Sequence, residues 1–153
     1  MGIHWALSLA GASCSLKPEG SQVTVPDRPK ILIADDDALL HALLAHKLAV
    51  AGYQVDHVSD GCELLARIGL VRPDLIVLDA MMPIMDGFET LRRLKIDPEF
   101  NAIPVVMLTA MRREADIVSA LKLGAADYLP KPFNPDELVA RLLRLAPARQ
   151  NVA

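Results

Sequence analysis

The sequence predicts an α/β fold: a doubly wound parallel sheet of five strand–helix units, (βα)5, in a single domain. From Pro29 onward, short apolar runs that suit strands alternate five times with segments whose apolar residues recur at helical spacing. The runs at 75–78 and 103–108 are almost continuously apolar, which is typical of parallel strands buried on both faces. Right-handed crossovers then place helices on both faces of the sheet.

The first strand is predicted at residues 31–34 and is followed by three consecutive aspartates, of which Asp37 suits a helix N-cap. The first helix carries leucines at 40, 43, 44 and 48, and Gly52 is its predicted stop. The second strand, at 53–58, mixes valine with polar residues and therefore suits an edge of the sheet. Asp60 and Gly61 open the second helix.

The third strand, 75–78, ends at Asp79, and Asp86 with Glu89 forms an Asp-x-x-Glu start for the third helix. The fourth helix is predicted at about 112–123 and ends at Gly124. The fifth strand, 126–129, is short, and Asn134 caps the last helix. Because the second and fifth strands are the most polar, we expect them at the edges, in the sheet order 2-1-3-4-5.

Polar side chains collect where these strands end. Asp35 and Asp36 follow the first strand, Asp79 the third, Thr109 the fourth and Lys131 the fifth. Ligands of open α/β sheets bind outside the carboxyl ends of the strands, so these groups are predicted to converge there. Three crowded carboxylates repel one another, and Mg²⁺, which prefers oxygen ligands, would relieve that repulsion. A carboxylate beside Mg²⁺, a hydroxyl and an ammonium group form a set suited to accepting a phosphoryl group.

Four segments in this order resemble the receiver domain of two-component response regulators. They are ILIADDD at 31–37, LDAMMPIMDG at 78–87, PVVMLTA at 104–110 and GAADYLPKPF at 124–133. Each segment alone is a weak to moderate signal, but all four occur at spacings that place them on the correct strand ends. The resemblance covers the chain except for its N-terminal extension and its last few residues.

The resemblance implies a role for each matched position. Asp79 is similar to the phosphoacceptor, Asp36 to the direct Mg²⁺ ligand, and Asp35 to the carboxylate that acts largely through water. The main-chain carbonyl of Met81 is similar to a further ligand of the ion. By the same resemblance, Thr109 and Tyr128 form the switch pair, Lys131 binds the phosphoryl group, and the peptide bond between Lys131 and Pro132 is cis.

The resemblance also implies partners. A sensor histidine kinase or a histidine phosphotransfer protein would donate the phosphoryl group, and the surface of the fourth helix, fifth strand and fifth helix would change in response. A downstream output domain or protein would bind that surface, and a homodimer through it is a further expectation. The chain would act as a phosphoryl acceptor rather than an enzyme, limited to its own phosphorylation and dephosphorylation.

Three other functions remain open. An aspartyl-phosphate phosphatase commonly has a second aspartate two residues after the nucleophile, where this chain has Met81. A flavin-binding domain needs a loop after the first strand that holds phosphate, and Asp35 and Asp36 would repel one. A pseudo-receiver that serves only as a scaffold would not need the intact acidic set.

Composition sets the remaining limits. Of 153 residues, 52% are hydrophobic, which is enough for one core, and a net charge of −3 without any basic run does not favour direct nucleic-acid contact. No apolar run reaches the length of a membrane span, and Cys14 and Cys62 form no metal or disulfide pattern. We therefore expect a cytoplasmic protein with an extension at 1–28, a receiver domain at 29–147 and a tail at 148–153.

Overall fold

A computed structural model describes residues 28–110 and 113–146, all of which belong to one compact unit. Five parallel strands form one sheet in the order β2-β1-β3-β4-β5, which confirms the predicted order. In chain order the elements are β1 (Lys30–Ala34), α1 (Ala38–Val50), β2 (Gln54–Val58), α2 (Gly61–Val71), β3 (Leu75–Asp79), α3 (Gly87–Ile96), β4 (Val105–Thr109), α4 (Glu114–Leu123), β5 (Asp127–Pro130) and α5 (Pro135–Leu145).

The helices cover the two faces of the sheet in two core clusters. Helices α1 and α5 bury Leu44, Leu48, Leu138 and Leu142 against one face, while α2, α3 and α4 pack on the other. All five residues of β3 and all five of β4 are buried, whereas β2 contains exposed and half-buried positions. The sequence pattern follows from this arrangement, because the central strands are covered on both faces and the edge strand is not.

Polar caps and glycines end the helices close to where the sequence predicts. The side chains of Asp37, Asp60 and Asn134 accept N–H groups at the starts of α1, α2 and α5. Gly52 and Gly124 have φ of 101° and 111°, a backbone region that glycine enters without steric cost.

The α3 start departs from a reciprocal capping box. The Asp86 side chain accepts the N–H of Glu89, but the Glu89 carboxylate pairs with Arg92 and Arg93 instead of returning to the start of the helix. These two arginines hold the pKa of Glu89 down at about 2. An ion pair one turn along the helix therefore replaces the second half of the box.

The predicted extension at 1–28 and tail at 148–153 fall, apart from Arg28, outside the described residues. Within those residues, no helix is both long enough and apolar enough to cross a membrane.

Candidate functional site: an acidic pocket at the carboxyl edge of the sheet

Three carboxylates meet where β1 and β3 end. One oxygen each from Asp35, Asp36 and Asp79 lies within 4.8 Å of the others. Asp35 is fully buried and Asp79 is 4% exposed, whereas Asp36 faces solvent. Because β1 and β3 are hydrogen-bonded neighbours in parallel register, their ends bring these side chains together, as the sheet order predicts.

An ammonium group lies against two of these carboxylates. Lys131 Nζ is 3.1 Å from Asp35 Oδ2 and 3.2 Å from Asp79 Oδ2. The main-chain N–H of Lys131 donates to the carbonyl of Thr109 (2.7 Å), and the peptide bond to Pro132 is cis, as the family resemblance implies. The residue after β5 thus places its ammonium group beside the carboxylates at the ends of β1 and β3.

Burial and charge act on Asp79 in opposite directions. Desolvation raises the pKa of its carboxyl group, and the neighbouring Asp35 charge raises it further. The Met81 N–H, at 3.2 Å, and the Lys131 ammonium lower that pKa, but the net direction is upward. The same contacts raise the pKa of Lys131, since Asp79 and Asp35 outweigh the effect of its burial. The pocket therefore favours binding of a further positive charge.

Gly87 allows α3 to approach the acidic residue closely. A Cβ at this position would overlap the main-chain oxygen of Asp79 and would lie 2.7 Å from Ala80 Cα. The Gly87 N–H donates to the carbonyl of Ala80 (2.9 Å), which fixes the loop that returns from β3 to α3. A residue without a side chain is therefore needed here, a requirement that the third helix's pattern alone does not reveal.

Thr109 on β4 and Tyr128 on β5 are in contact through their side chains, although the register places Tyr128 opposite Met107. Thr109 is fully buried, and Tyr128 is 7% exposed. Burial raises the pKa of the Tyr128 hydroxyl, while a side-chain hydrogen bond with Thr109 lowers it. The structure thus brings the two predicted switch residues into contact, with Thr109 at the end of the strand next to Asp79.

Sequence reasoning missed a histidine pair beside the pocket. The Nε2–H of His57 donates to the carbonyl of Asp35 (2.8 Å), and the His57 ring stacks on His41 at a centroid distance of 3.8 Å. The register that pairs Ile33 with His57 carries this side chain to the end of β1. This pairing becomes visible only once the β1–β2 register is known.

The donor set fits a magnesium ion. Mg²⁺ binds oxygens at about 2.1 Å, so two ligands on opposite sides of one ion lie about 4.2 Å apart. The carboxylate oxygens lie within 4.8 Å of one another, so a small shift of the side chains would allow them to bind one ion directly. A carboxylate that does not shift could bind the ion through a water molecule. The exposed position of Asp36 leaves room for the waters that Mg²⁺ usually keeps.

A five-stranded sheet in this order, with an acidic cluster and a lysine at its carboxyl edge, is the arrangement of receiver domains. The family description "Response regulator receiver domain" matches residues 31–143. The chain belongs to this family and is a receiver domain of two-component signalling, which confirms the resemblance seen in the four sequence segments. Domains of this family are signalling modules and not classical enzymes.

Relatives and solved structures agree with this assignment. The DNA-binding response regulator MtrA of Mycobacterium tuberculosis is 43% identical over 115 residues, which cover 75% of this chain and 49% of MtrA. The DNA-binding dual master transcriptional regulator RpaA of Synechocystis is 43% identical over 117 residues, covering 76% and 48%. The receiver domain of a signal transduction histidine kinase from Syntrophus aciditrophicus superposes with a TM-score of 0.72 at 36% identity, covering 82% and 97%.

The chain spans about half the length of the curated relatives that it matches. Their names qualify the prediction of no direct nucleic-acid contact, because MtrA and RpaA are both named as DNA-binding regulators. The region that they share with this chain is the receiver domain.

Proposed function

We propose that Asp79 is the phosphoacceptor of this receiver and takes its phosphoryl group from a sensor histidine kinase or a histidine phosphotransfer protein. One observation carries the proposal: three carboxylates whose oxygens lie within 4.8 Å of one another meet at the carboxyl edge of the sheet, and an ammonium group is hydrogen-bonded to two of them. An isolated strand-end aspartate would not need such surroundings.

The chemistry assigned to the chain's own groups is a phosphoryl transfer. One Oδ atom of Asp79 forms a bond to phosphorus while the P–N bond of the donor phosphohistidine breaks, and that bond's electron pair stays on the imidazole nitrogen. Lys131 holds a positive charge beside the Asp79 oxygens, so it is placed to stabilise the negative charge of the incoming group. The buried Thr109 hydroxyl lies at the end of the adjacent strand, within reach of a phosphoryl oxygen after a small shift.

Mg²⁺ is the cofactor that this site suits. Asp35, Asp36, Asp79 and the main-chain carbonyl of Met81 would hold it, and its charge would neutralise the carboxylates and the phosphoryl oxygens. Asp35 is fully buried, and its two oxygens already accept from the Asp37 N–H and from Lys131. This supports a role for Asp35 through water, with Asp36 as the more accessible direct ligand.

The switch that we propose uses the Thr109–Tyr128 pair. When Thr109 turns toward a phosphoryl group on Asp79, its contact with Tyr128 changes, and the surface of α4, β5 and α5 follows. That surface would bind the output domain or protein and would support a phosphorylation-dependent homodimer. The receiver itself, which we assign to residues 29–147, would act in the cytoplasm and contact no nucleic acid directly.

A fluoroberyllate mimic of the phosphoryl group tests the proposal without a kinase. With Mg²⁺ present, backbone NMR signals of Thr109, Tyr128 and residues 114–123 should shift, and chelation of Mg²⁺ should reverse the shift. Asp79→Asn should abolish the response. Asp60→Asn, which removes a carboxylate outside the acidic cluster and keeps a side chain that can cap α2, should retain it. An equal response in Asp79→Asn and the wild type would reject Asp79 as the acceptor.

A further inference from the structure

A stacked pair of histidines joins α1 to β2 beside the acidic pocket. The ring centroids of His41 and His57 lie 3.8 Å apart, with 22° between the ring planes. His57 lies on the same face of its strand as Val55, which packs on the core beneath α1 and α5. His41 lies three residues before the buried Leu44, so it shares the face of α1 that meets the sheet. The two side chains therefore meet because of the fold and not because of their distance in sequence.

The His57 ring also makes a directed contact with the end of β1. Its Nε2 atom lies 2.8 Å from the main-chain oxygen of Asp35. A carbonyl oxygen can only accept a hydrogen bond, so Nε2 carries the proton whether the ring is neutral or charged. The register of the two strands ends at the pair of Ala34 and Val58, and the Asp35 N–H still donates to the Val58 carbonyl at 3.1 Å. The histidine thus extends the pairing of β1 with β2 past the last paired residues.

The two peptide groups that flank Asp36 are each held by a hydrogen bond. His57 holds the first peptide group through the Asp35 carbonyl. The Asp35 carboxylate holds the second by accepting the Asp37 N–H at 2.8 Å. Asp36 itself is exposed, so packing of its side chain does not fix its position. The direction in which its carboxylate points therefore depends on these two peptide groups.

We propose that His57 is a positioning residue of the magnesium site: its N–H fixes the peptide group before Asp36 and so holds the Asp36 carboxylate toward the other two carboxylates of the pocket. This inference rests on the proposed Mg²⁺ site. Hydrogen bonds from groups that do not touch the ion raise metal affinity, because oriented ligands lose less freedom when the ion binds. Here the contact acts through the main chain that carries the ligand.

His57 is itself held at its ring and at its main chain. Its carbonyl accepts from the guanidinium group of Arg67 on α2 at 3.1 Å, and its ring lies flat against His41. The Nδ1 atom of His41 is buried and makes no hydrogen bond to any group that the structure describes, so His41 contributes the face of its ring. Burial, followed by the neighbouring His57, lowers the pKa of His41, which favours a neutral ring in the stack. A donor held in this way loses little further freedom in its contact with Asp35.

The two histidines are not arranged to bind a metal ion themselves. Imidazoles that share one ion direct their lone pairs at it from different sides, as in tetrahedral sites. Rings stacked 3.8 Å apart have their lone pairs in nearly parallel planes, which cannot converge on one ion. Within residues 28–110 and 113–146, the three aspartates are the only group of three or more His, Cys, Asp or Glu side chains placed to hold an ion. The pair therefore supports the acidic site and does not form a second one.

Two substitutions at His57 separate its hydrogen bond from its ring. His57→Phe keeps an aromatic ring against His41 but has no N–H, whereas His57→Gln keeps an N–H donor of similar reach. Calorimetric titration with Mg²⁺ should show at least about fivefold weaker binding for His57→Phe and a change of less than about twofold for His57→Gln. His46→Phe is the matched control at an exposed histidine of α1, and it should bind Mg²⁺ like the wild type. Wild-type affinity in His57→Phe, or an equal loss in His57→Gln, would overturn the proposal.

A double-mutant cycle tests whether the effect passes through Asp36. Asp36→Asn removes the carboxylate that His57 is proposed to place. In that background, His57→Phe should change the Mg²⁺ affinity by less than about twofold. A loss as large as in the wild-type background would mean that His57 acts through another group, and it would overturn the proposal.

A measurement without metal separates this inference from the proposed function. In the metal-free chain, NMR relaxation of the Asp36 and Asp37 amides should show greater motion in His57→Phe than in the wild type or in His57→Gln. Urea unfolding in parallel identifies a general loss of stability, which would affect amides throughout the fold. Unchanged motion at Asp36 in His57→Phe would overturn the positioning role. Absence of Mg²⁺ binding in the wild type would instead reject the proposed cofactor, and the relaxation data would still decide whether His57 orders Asp36.

Discussion

Replacing Asp79 with asparagine should stabilise the folded protein in the absence of divalent ions. Asp79 is nearly buried, and its carboxylate lies within 4.8 Å of those of Asp35 and Asp36. Desolvation and the Asp35 charge both raise its pKa, so ionised Asp79 opposes folding. Asparagine has nearly the same shape and removes the charge. A residue kept for function would thus lower the stability of the fold.

The expected change in the free energy of unfolding of Asp79→Asn is the sum of opposing effects. At an effective dielectric constant of 20, repulsion between carboxylates at 4.8 Å, the upper limit of their separation, is about 3.5 kcal/mol, and attraction to Lys131 at 3.2 Å is about 5 kcal/mol. The exposed Asp36 adds a weaker, screened repulsion, so these charge interactions largely cancel. The variant regains the cost of desolvating a carboxylate but loses one of two hydrogen bonds, from Met81 or Lys131. Lys131 keeps Asp35 as its partner, and we expect a net gain on the order of 1 to 2 kcal/mol.

Urea unfolding in the presence of a chelator, from roughly pH 4 to pH 8, measures the stability difference between the variant and the wild type and its dependence on pH. Because the native state holds the Asp79 proton more tightly than the unfolded state, the wild type loses stability as pH rises through the ionisation of this group. The gap between variant and wild type should therefore widen as the pH rises from about 4, the usual pKa of an aspartate, toward pH 8. Saturating Mg²⁺ should stabilise the wild type more than the variant. An asparagine variant less stable than the wild type at pH 8, or a stability difference that does not change with pH, would refute this reasoning.

Two further substitutions test contacts at the site, and a third tests an ion pair elsewhere in the fold. Lys131→Met removes the ammonium group that lies between two carboxylates, so Mg²⁺ should bind several-fold more tightly by calorimetry, while phosphorylation slows at least about tenfold. Unchanged Mg²⁺ affinity would show that Lys131 does not compete for the pocket. Gly87→Ala forces a Cβ against the main chain of Asp79 and should cost about 2 to 4 kcal/mol in urea unfolding; a cost below about 0.5 kcal/mol would contradict the close approach. Arg141→Ala removes the guanidinium nitrogen that contacts both carboxylate oxygens of Asp127, at 2.9 and 2.8 Å, and should cost about 1 kcal/mol, with most of the loss assigned to this pair by a double-mutant cycle.

Much of the fold could be predicted because local patterns and packing agree. The unbroken apolar run of β3 and the polar residues of β2 correctly indicated a central and an edge strand, and this fixed the order of the sheet. The order in turn predicted that Asp35, Asp36, Asp79, Thr109 and Lys131 would meet. Their meeting depends only on which strands are neighbours and where each strand ends.

Other features depend on contacts that no local pattern records. Two arginines within one helical turn compete for the Glu89 carboxylate, so only the Asp86 half of the predicted Asp-x-x-Glu start caps the helix. The contact of His57 with Asp35 depends on the register between β1 and β2. Ile84 adopts a φ of 67°, a conformation that β-branched residues rarely enter, in the loop that follows Asp79. Pro83 signals a turn here, but no local pattern indicates a positive φ at an isoleucine.

Phosphorylation of the purified chain by acetyl phosphate, followed by intact-mass measurement and by mapping of the modified residue, tests the central claim most directly. The account predicts one phosphoryl group per chain, dependent on Mg²⁺, lost on incubation with hydroxylamine, and located on Asp79. Asp79→Asn should remain unmodified, whereas Asp60→Asn should be modified like the wild type. Modification at another residue, or equal modification of Asp79→Asn, would contradict the account.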